Sequence, residues 1–193
     1  MSKSKPRLLF GFTGSIACFK AAASLSGLVQ AGVEVQCLAT TDALRFIGAA
    51  TLEGLSGRPL LMDLYESGRM MDHIHLTRWA DALVVAPATA HTINSAAAGL
   101  GSNALLATLL AWPSSKPRWI APAMNSEMLK HPTVQESLSR LKSWGWRILE
   151  STEGHLACGE TGPGRMIESD LLTQTILKIL FQTERELRHD THP

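Results

Sequence analysis

The chain has 193 residues, of which 45% are hydrophobic and 18% charged, enough for one substantial core and too few for two domains of ordinary size. Its formal net charge of +1 comes from scattered basic residues, which excludes an extended electrostatic surface for nucleic acid or an anionic membrane. No stretch approaches the roughly 20 apolar residues of a membrane span, and the first residues lack a signal-peptide pattern. We expect one cytoplasmic domain over residues 1–193, with its core over about 7–182 and a polar tail over about 183–193.

The three cysteines are Cys18, Cys37 and Cys158. Their odd number and wide spacing favour reduced thiols over a disulfide framework. No C-x-x-C pair indicates zinc, so we expect no metal. A chemical role for one of the thiols stays open.

The first half of the chain alternates short apolar runs with segments of helical periodicity, which predicts a repeating strand–helix order. Gly32 and Gly57 are the expected ends of the two helices, and Asp42 is the expected N-cap of the second. Residues 65–72 lack clear periodicity and are expected to form a mobile loop. The predicted elements are a strand over 7–12, a helix over 16–31, a strand over 33–39, a helix over 43–55 and an extended piece over 60–64.

The second half continues the same order. An Ala-rich helix is expected to be interrupted at Gly99 and Gly101. Residues 151–166 are so rich in glycine that we expect a long loop there, and loops of that length in compact domains are functional or disordered. The predicted elements are strands over 81–86, 119–121 and 146–149, and helices over 89–112, over 126–144 and from Ser169 onward.

The apolar runs do not alternate with polar residues, which is typical of strands that are covered on both faces. We therefore expect an α/β fold, with a flavodoxin-like (Rossmann-like) doubly wound parallel sheet between two helix layers in a single domain. In such folds a ligand binds at the carboxyl ends of the strands. Residues that directly follow strands are therefore the first candidates for a site.

Gly14 and Ser15 form the turn after the first strand, where backbone N–H groups and a hydroxyl at a helix start suit a phosphate. The full G-x-G-x-x-G pattern is missing, so a mononucleotide fits better than NAD. A plain glycine turn explains the same residues. Thr89 and Thr92 offer two more hydroxyls for a phosphate or a ribityl chain, and ordinary N-capping is their alternative role.

Three further places carry reactive or polar side chains. His73 and His75 are expected just before a strand and beside the 65–72 loop, where a histidine can exchange protons near neutral pH, and one of the two is expected to be a surface or packing residue. Asn125 can donate to a carboxylate and also cap the next helix. Cys158 is flanked by glycines that let a loop fold over a ligand, and an inert buried cysteine is the common alternative.

Five blocks of sequence resemble the homo-oligomeric flavin-containing cysteine decarboxylases, and most closely their phosphopantothenoylcysteine decarboxylase branch. They follow the order and the intervals of that family over residues 7–172, nearly the whole chain. Five ordered blocks are far more specific than any one of them. The blocks are GSIA, HIHLTRWAD, PATAHT, PAMNSEM and ACGETGPGRM.

The resemblance implies the FMN-dependent decarboxylation of 4'-phospho-N-pantothenoylcysteine to 4'-phosphopantetheine in coenzyme A biosynthesis. FMN would oxidise the cysteine side chain of the substrate, carbon dioxide would leave, and the reduced flavin would return a hydride. By the same resemblance His73 is the catalytic base, Asn125 binds the substrate carboxylate and Cys158 donates the final proton.

Binding residues follow from the same motifs, although the chain departs from the family pattern at His91, Leu129 and Ser102. The implied cofactor contacts are Gly14, Ser15, Ile16, Thr40, Phe46, Thr89, Ala90, His91, Thr92 and Ala123. The implied substrate contacts are Met124, Asn125, Arg78, His155, Leu156 and Ala157.

The family also implies a homo-oligomer built from trimers, with FMN at the subunit interfaces, and a separate ligase that supplies the substrate. One alternative is a peptidyl-cysteine decarboxylase of the lantibiotic-modifying type, although those enzymes typically lack the cysteine at the position of Cys158. Others are a non-catalytic flavin-binding regulatory subunit, which usually carries a long acidic extension, and the prenyl-flavin synthase branch.

Overall fold

A computed structural model of the chain describes residues 5–66, 68–155, 159 and 161–189. Its main sheet has five parallel strands in the order β2-β1-β3-β4-β5. This is the strand order of flavodoxin-like folds, in which the direction of winding changes between β1 and β3. The doubly wound α/β fold is thus confirmed. The strands are β1 (Arg7–Phe12), β2 (Glu34–Ala39), β3 (Ala82–Ala88), β4 (Arg118–Pro122) and β5 (Arg147–Ile148).

Helices cover both faces of the sheet. One layer contains α1, α2 and α8, and the opposite layer contains α3, α4, α5 and α7. The bounds of the helices are α1 (Cys18–Gln30), α2 (Ala49–Ser56), α3 (Asp72–Trp79), α4 (Ala90–Ala97), α5 (Ala104–Leu110), α6 (Ser126–Lys130), α7 (Pro132–Ser143) and α8 (Ser169–His189).

The two faces of β1 pack into separate hydrophobic cores. Phe10 and Phe12 stack at 4.7 Å between ring centroids and contribute to the core under α1 and α8, whereas Leu9 contributes to the core under α4 and α5. All three side chains are fully buried. Burial on both faces explains why the strands read as unbroken apolar runs.

The helix predicted over 43–55 is divided in two. Residues Ala43–Arg45 form a single 3-10 turn, and α2 begins only after Gly48, whose backbone is extended. Asp42 makes no side-chain cap to the turn, so its predicted role as N-cap is wrong. Gly57 does end α2, in the left-handed conformation that glycine adopts without strain.

The helix predicted over 126–144 is also divided, because Pro132 disfavours helical geometry in the residue before it. His131 is accordingly non-helical, with φ −57° and ψ 132°, and Pro132 occupies the first turn of α7. The result is a short α6 directly after the P-A-M-N segment (residues 122–125), followed by α7 on the outer layer.

Three other segments show detail that the sequence did not predict. His73 and His75 lie within α3, and residues 60–64 contribute only one bridge, from Leu61 to Leu38. Helix α8 runs to His189, well into the segment expected to be a polar tail. Among the described residues, no helix combines the length and apolar character needed to cross a membrane.

The glycine-rich stretch predicted to be a long loop contains an antiparallel hairpin of β6 (Thr152–His155) and β7 (Thr161–Arg165). Two of its glycines lie in close contact with neighbouring side chains. A Cβ at Gly154 would lie 2.9 Å from Nη1 of Arg165, and one at Gly162 would lie 2.5 Å from Oγ of Ser126. A strand whose neighbours approach this closely favours glycine.

Candidate functional site

The ends of β1 and β3 are joined by one buried hydroxyl. Thr13, only 1% exposed, donates from Oγ1 to the carbonyl oxygen of Pro87 at 2.7 Å. Oγ1 of Thr13 also accepts a hydrogen bond from the backbone N–H of Thr89 at 3.0 Å. Thr13 therefore fixes the two loops on either side of the point where ligands bind in this fold.

The loops after β1 and β2 also touch each other. A Cβ at Gly14 would lie 2.7 Å from Cβ of Asp42, so only glycine permits this approach. Ser15 and Thr40 are half-buried on these loops, and each hydroxyl accepts from a backbone N–H of its own turn at 3.2 Å. Ser15 and Thr40, two of the predicted cofactor contacts, thus follow neighbouring strands.

Helix α4 begins at the same edge with two hydroxyls. Thr89 is its N-cap and accepts from the N–H of Thr92 at 3.4 Å, and the two hydroxyl oxygens lie 3.2 Å apart. The N-capping role is therefore real, and it leaves the positive end of the helix dipole at the site. His91 lies in the same turn with its side chain exposed, while Ala90 is buried.

The β6–β7 hairpin is attached to the segment that follows β4. The N–H of Met124 donates to the carbonyl oxygen of Gly164 at 3.0 Å, and Oγ of Ser126 donates to the carbonyl oxygen of Pro163 at 2.8 Å. Gly164 has φ +121°, and a Cβ there would overlap the carbonyl oxygen of Met124. Tertiary contact thus places the hairpin against the P-A-M-N segment.

Asn125 is half-buried and caps α6, since its Oδ1 accepts from the N–H of Met128 at 2.8 Å. With Oδ1 occupied, the amide NH₂ group is the part of this side chain that can serve a ligand. Two donor hydrogens suit a carboxylate. The capping role and the predicted carboxylate-binding role are therefore compatible.

His73 lies in the first turn of α3, and its Nδ1 is buried without a hydrogen-bond partner among the described residues. Because α3 ends two residues before β3 begins, its first turn lies toward the carboxyl edge of the sheet. His75 is exposed. A buried imidazole nitrogen that lacks a partner is costly unless a ligand supplies one.

The other end of α3 is held by Lys116, whose ammonium group donates to the carbonyl oxygens of Thr77 at 2.9 Å and Ala80 at 2.5 Å. Arg78 lies at this end, exposed, about 8 Å along the helix axis from His73 at 1.5 Å per residue. The contact of Arg78 with the substrate therefore stays a prediction.

The remaining predicted contacts divide into three groups. Ala123 is buried directly after β4, whereas Ile16 and Phe46 are 58% and 49% exposed beside the turns that follow β1 and β2. The backbone of His155 ends β6. Leu156, Ala157 and Cys158 lie outside the described residues, as does the side chain of His155.

Cys18 and Cys37 are core residues with free thiols. Burial raises the pKa of the Cys37 thiol to about 12 and also raises that of Cys18. A raised pKa leaves almost no thiolate near neutral pH, which makes both thiols poor nucleophiles. Of the three cysteines, these two are therefore excluded from chemistry at the site.

Sequence reasoning missed Thr13, Lys116 and Gly164. Thr13 could have been found, because a hydroxyl in the G-F-T-G-S turn directly follows a predicted strand. Lys116 and Gly164 gave no local signal, since each acts through a segment more than 30 residues away in the chain.

Comparisons with known proteins agree with this geometry. A sequence profile of the Flavoprotein family matches residues 1–181. The coenzyme A biosynthesis bifunctional protein CoaBC of Bacillus subtilis is 41% identical over 165 residues, which cover 84% of this chain and 40% of that protein. The chain thus spans about two fifths of the length of the curated relatives it matches.

Two solved structures share the fold over nearly their full length. A mutant PPC decarboxylase complexed with pantothenoylaminoethenethiol has a TM-score of 0.82 and 32% identity, over 91% of this chain and 98% of that one. The FMN-dependent cysteine decarboxylase SpaF has a TM-score of 0.77 and 31% identity, over 92% of this chain and 96% of that one. The chain therefore belongs to the Flavoprotein family, among the flavin-containing cysteine decarboxylases and close to phosphopantothenoylcysteine decarboxylase.

Proposed function

We propose that this chain catalyses the FMN-dependent decarboxylation of 4'-phospho-N-pantothenoylcysteine to 4'-phosphopantetheine in coenzyme A biosynthesis. The observation that carries the proposal is the attachment of the β6–β7 hairpin to the P-A-M-N segment. Cys158 lies between the two strands of that hairpin in the sequence, and the segment ends in Asn125. The similarity to a PPC decarboxylase over 98% of its chain supports the same substrate.

The residues at the carboxyl edge fit FMN. The hydroxyls of Ser15, Thr40, Thr89 and Thr92 and the start of α4 offer neutral donors and a positive dipole to a phosphate and a ribityl chain. The exposed apolar side chains of Ile16 and Phe46, together with His91, Ala90, Ala123 and Gly14, would then border the flavin ring. When bound, FMN supplies the two-electron redox chemistry that makes loss of the carboxylate possible.

The protein groups divide the remaining work. The NH₂ group of Asn125 binds and orients the substrate carboxylate, with Met124 beside it. The Nδ1 atom of His73, which lacks a partner among the described residues, hydrogen-bonds to the substrate and accepts a proton as the base. Cys158 donates the proton that completes the product, and His155, Leu156 and Ala157, which precede it in the sequence, contact the substrate.

We further propose that the chain works in the cytoplasm as a single-domain subunit of a homo-oligomer built from trimers, with FMN at the subunit interfaces. The exposure of Ile16 and Phe46 supports such an interface, since large apolar side chains at a site are commonly covered by a partner. Arg78 would reach the substrate from a neighbouring subunit. A separate ligase would supply phosphopantothenoylcysteine, and neither nucleic acid nor a membrane is required.

The proposal is tested by purifying the protein, recording its visible spectrum and following product mass with phosphopantothenoylcysteine. A yellow protein that releases carbon dioxide and forms phosphopantetheine is the expected result. The competing peptidyl-cysteine decarboxylase is tested in parallel with a peptide that ends in cysteine. Turnover of the peptide alone would replace the proposed substrate, and a yellow protein inert to both would favour a regulatory flavoprotein.

The roles of individual residues need matched variants. His73→Asn should abolish release of carbon dioxide and keep the flavin, whereas His75→Asn, on the same helix but exposed, should retain activity. Cys158→Ser should still release carbon dioxide but accumulate the oxidised enethiol product. Full activity in His73→Asn, or normal phosphopantetheine formation in Cys158→Ser, would remove that residue from the mechanism.

A further inference from the structure

A cleft of about 200 Å³ lies far from the candidate site, at the end of the sheet where β4 begins. Arg118, the first residue of β4, lines this cleft, and Asn125 lies seven residues further along the chain, roughly 20 Å away at about 3.3 Å per residue. Most of the lining is apolar, and it includes Leu100, Leu110, Trp112, Trp144 and Trp146.

Arg118 is an unusual residue for such a wall, because it is only 6% exposed and forms no salt bridge with any described residue. Its Nη1 donates to the carbonyl oxygen of Pro113 at 3.2 Å, and its Nη2 donates to the carbonyl oxygen of Trp144. Its Nε is buried and has no partner among the described residues. The guanidinium carbon also lies 5.6 Å from the ring centroid of Trp146.

A buried guanidinium without a carboxylate is expensive, since neutral carbonyl oxygens offset only part of the lost hydration. Burial accordingly lowers the pKa of Arg118, although an arginine stays charged in proteins. The group that best compensates such a charge is a carboxylate, which accepts from two guanidinium nitrogens at once. The described part of the chain does not supply one, which leaves Arg118 able to pair with the carboxylate of a ligand.

We propose that this cleft binds a small organic monocarboxylate with an aromatic or branched apolar body, its carboxylate paired with Arg118 and its body against Trp112, Trp144 and Leu110. The indole rings favour a flat or bulky apolar group over a strongly hydrated ion such as phosphate. Leu110 and Trp144 are 63% and 49% exposed at the rim, so an apolar ligand would cover surface that the chain alone leaves open to water. The site is independent of the decarboxylase reaction.

The test is calorimetric titration of the purified full-length protein with 3-phenylpropionate and with its neutral isostere 3-phenylpropionamide. We expect saturable binding of the carboxylate at one site per chain, and at least tenfold weaker binding of the amide. Three of the five tryptophans line the cleft, so the carboxylate should also change the intrinsic emission. Inorganic phosphate should not compete.

Arg118→Met should weaken binding of 3-phenylpropionate at least tenfold. Its matched control is Arg147→Met, which removes an exposed arginine on the neighbouring strand, over Trp119 and outside the cleft. That variant should bind as the wild type does. If Arg118→Met fails to fold, Ala96→Leu narrows the cleft from α4 with Arg118 intact, and a tenfold loss is again expected.

Four results would overturn the proposal. Equal binding of the carboxylate and the amide would show that Arg118 does not pair with the ligand. An equal loss in Arg147→Met, or unchanged binding in Ala96→Leu, would place the probe elsewhere. Absence of binding to the wild type, including the case in which a second copy of the chain covers the cleft, would exclude a small-molecule site.

Discussion

Met124 and Gly164 are joined by a backbone hydrogen bond of 3.0 Å, although 40 residues separate them in the sequence. The bond fixes β7 against the end of β4, and the φ of +121° at Gly164 turns the backbone so that the two chains can meet. The hairpin and the P-A-M-N segment consequently behave as one structural unit. Its integrity can be tested without reference to any reaction.

Gly164→Ala should break this unit. Alanine is strained at a φ of +121°, and its Cβ would overlap the carbonyl oxygen of Met124, which cannot move without displacing β4. We expect a loss of about 1–3 kcal/mol in the free energy of unfolding, and faster hydrogen exchange at the amide of Met124. Gly54→Ala is the control, because Gly54 lies in α2 with open space around it and should gain about 0.5–1 kcal/mol. Unchanged exchange at Met124 in Gly164→Ala would contradict the expectation.

Thr13→Val should separate the ends of β1 and β3. Valine keeps the shape of threonine but leaves the carbonyl oxygen of Pro87 and the N–H of Thr89 without their partner. Urea unfolding should show a loss of about 1–3 kcal/mol, the cost of leaving buried polar groups unpaired. Thr13→Ser retains the hydroxyl and should recover most of the lost free energy of unfolding. Should Thr13→Ser prove as unstable as Thr13→Val, packing of the methyl group would be the cause.

Lys20→Met should change how stability depends on pH. The buried ammonium group of Lys20 donates to Glu168 at 2.9 Å, and this bond holds the pKa of the Glu168 carboxyl below its usual range. A carboxyl whose pKa is lower in the folded state contributes stability above its unfolded pKa of about 4.3, and that contribution is lost as the pH falls through the folded value. We therefore expect the wild type to lose more stability than Lys20→Met between pH 5 and pH 3.

The measurement for this pair is urea unfolding across that pH range. Lys130→Met is the matched control, because Lys130 and Glu127 form an ion pair at a comparable 3.1 Å with both side chains largely exposed. Exposed pairs contribute little, so its acid profile should follow the wild type. Parallel profiles for Lys20→Met and the wild type would show that the Lys20–Glu168 pair does not govern stability in acid.

The thiols should differ in their reactivity. Cys18 and Cys37 are fully buried, and burial raises the pKa of both, so neither should react with a chromogenic disulfide reagent in the native protein. We expect at most one equivalent of fast reaction in the wild type, none in Cys158→Ser, and three equivalents for the wild type in denaturant. Fast reaction that persists in Cys158→Ser would mean that the core opens more readily than its packing indicates.

Much of the fold follows from local pattern, and the exceptions have physical causes. Strands β1 to β4 were predictable because burial on both faces leaves unbroken apolar runs. The β6–β7 hairpin was not predictable, because its glycines pack against Arg165 and Ser126. Tertiary contact brings these two side chains close, and local sequence does not reveal it. Helix α3 was also missed, since it carries few apolar residues and is held at its end by Lys116.

The candidate site shows the same division. Thr89 and Asn125 could be predicted because the ends of parallel strands meet at one edge of a sheet. The separation of Arg78 from His73 could not be predicted. The two residues belong to one sequence block, and the helix that contains them was not predicted. The spacing of these residues in the sequence does not indicate which end of α3 lies at the carboxyl edge of the sheet.

Strand β4 connects the residues that position two parts of the candidate site, one at each end of the strand. Lys116, just before the strand, holds the end of α3, and Asn125 follows the strand directly. The spacing between His73 and Asn125 is thereby tied to the length of a five-residue strand. Insertions in the turns around the edge would leave that spacing intact, whereas one residue more or less in β4 would shift one group against the other by about 3.3 Å. We therefore expect the loops at this edge to tolerate changes in length that this strand would not.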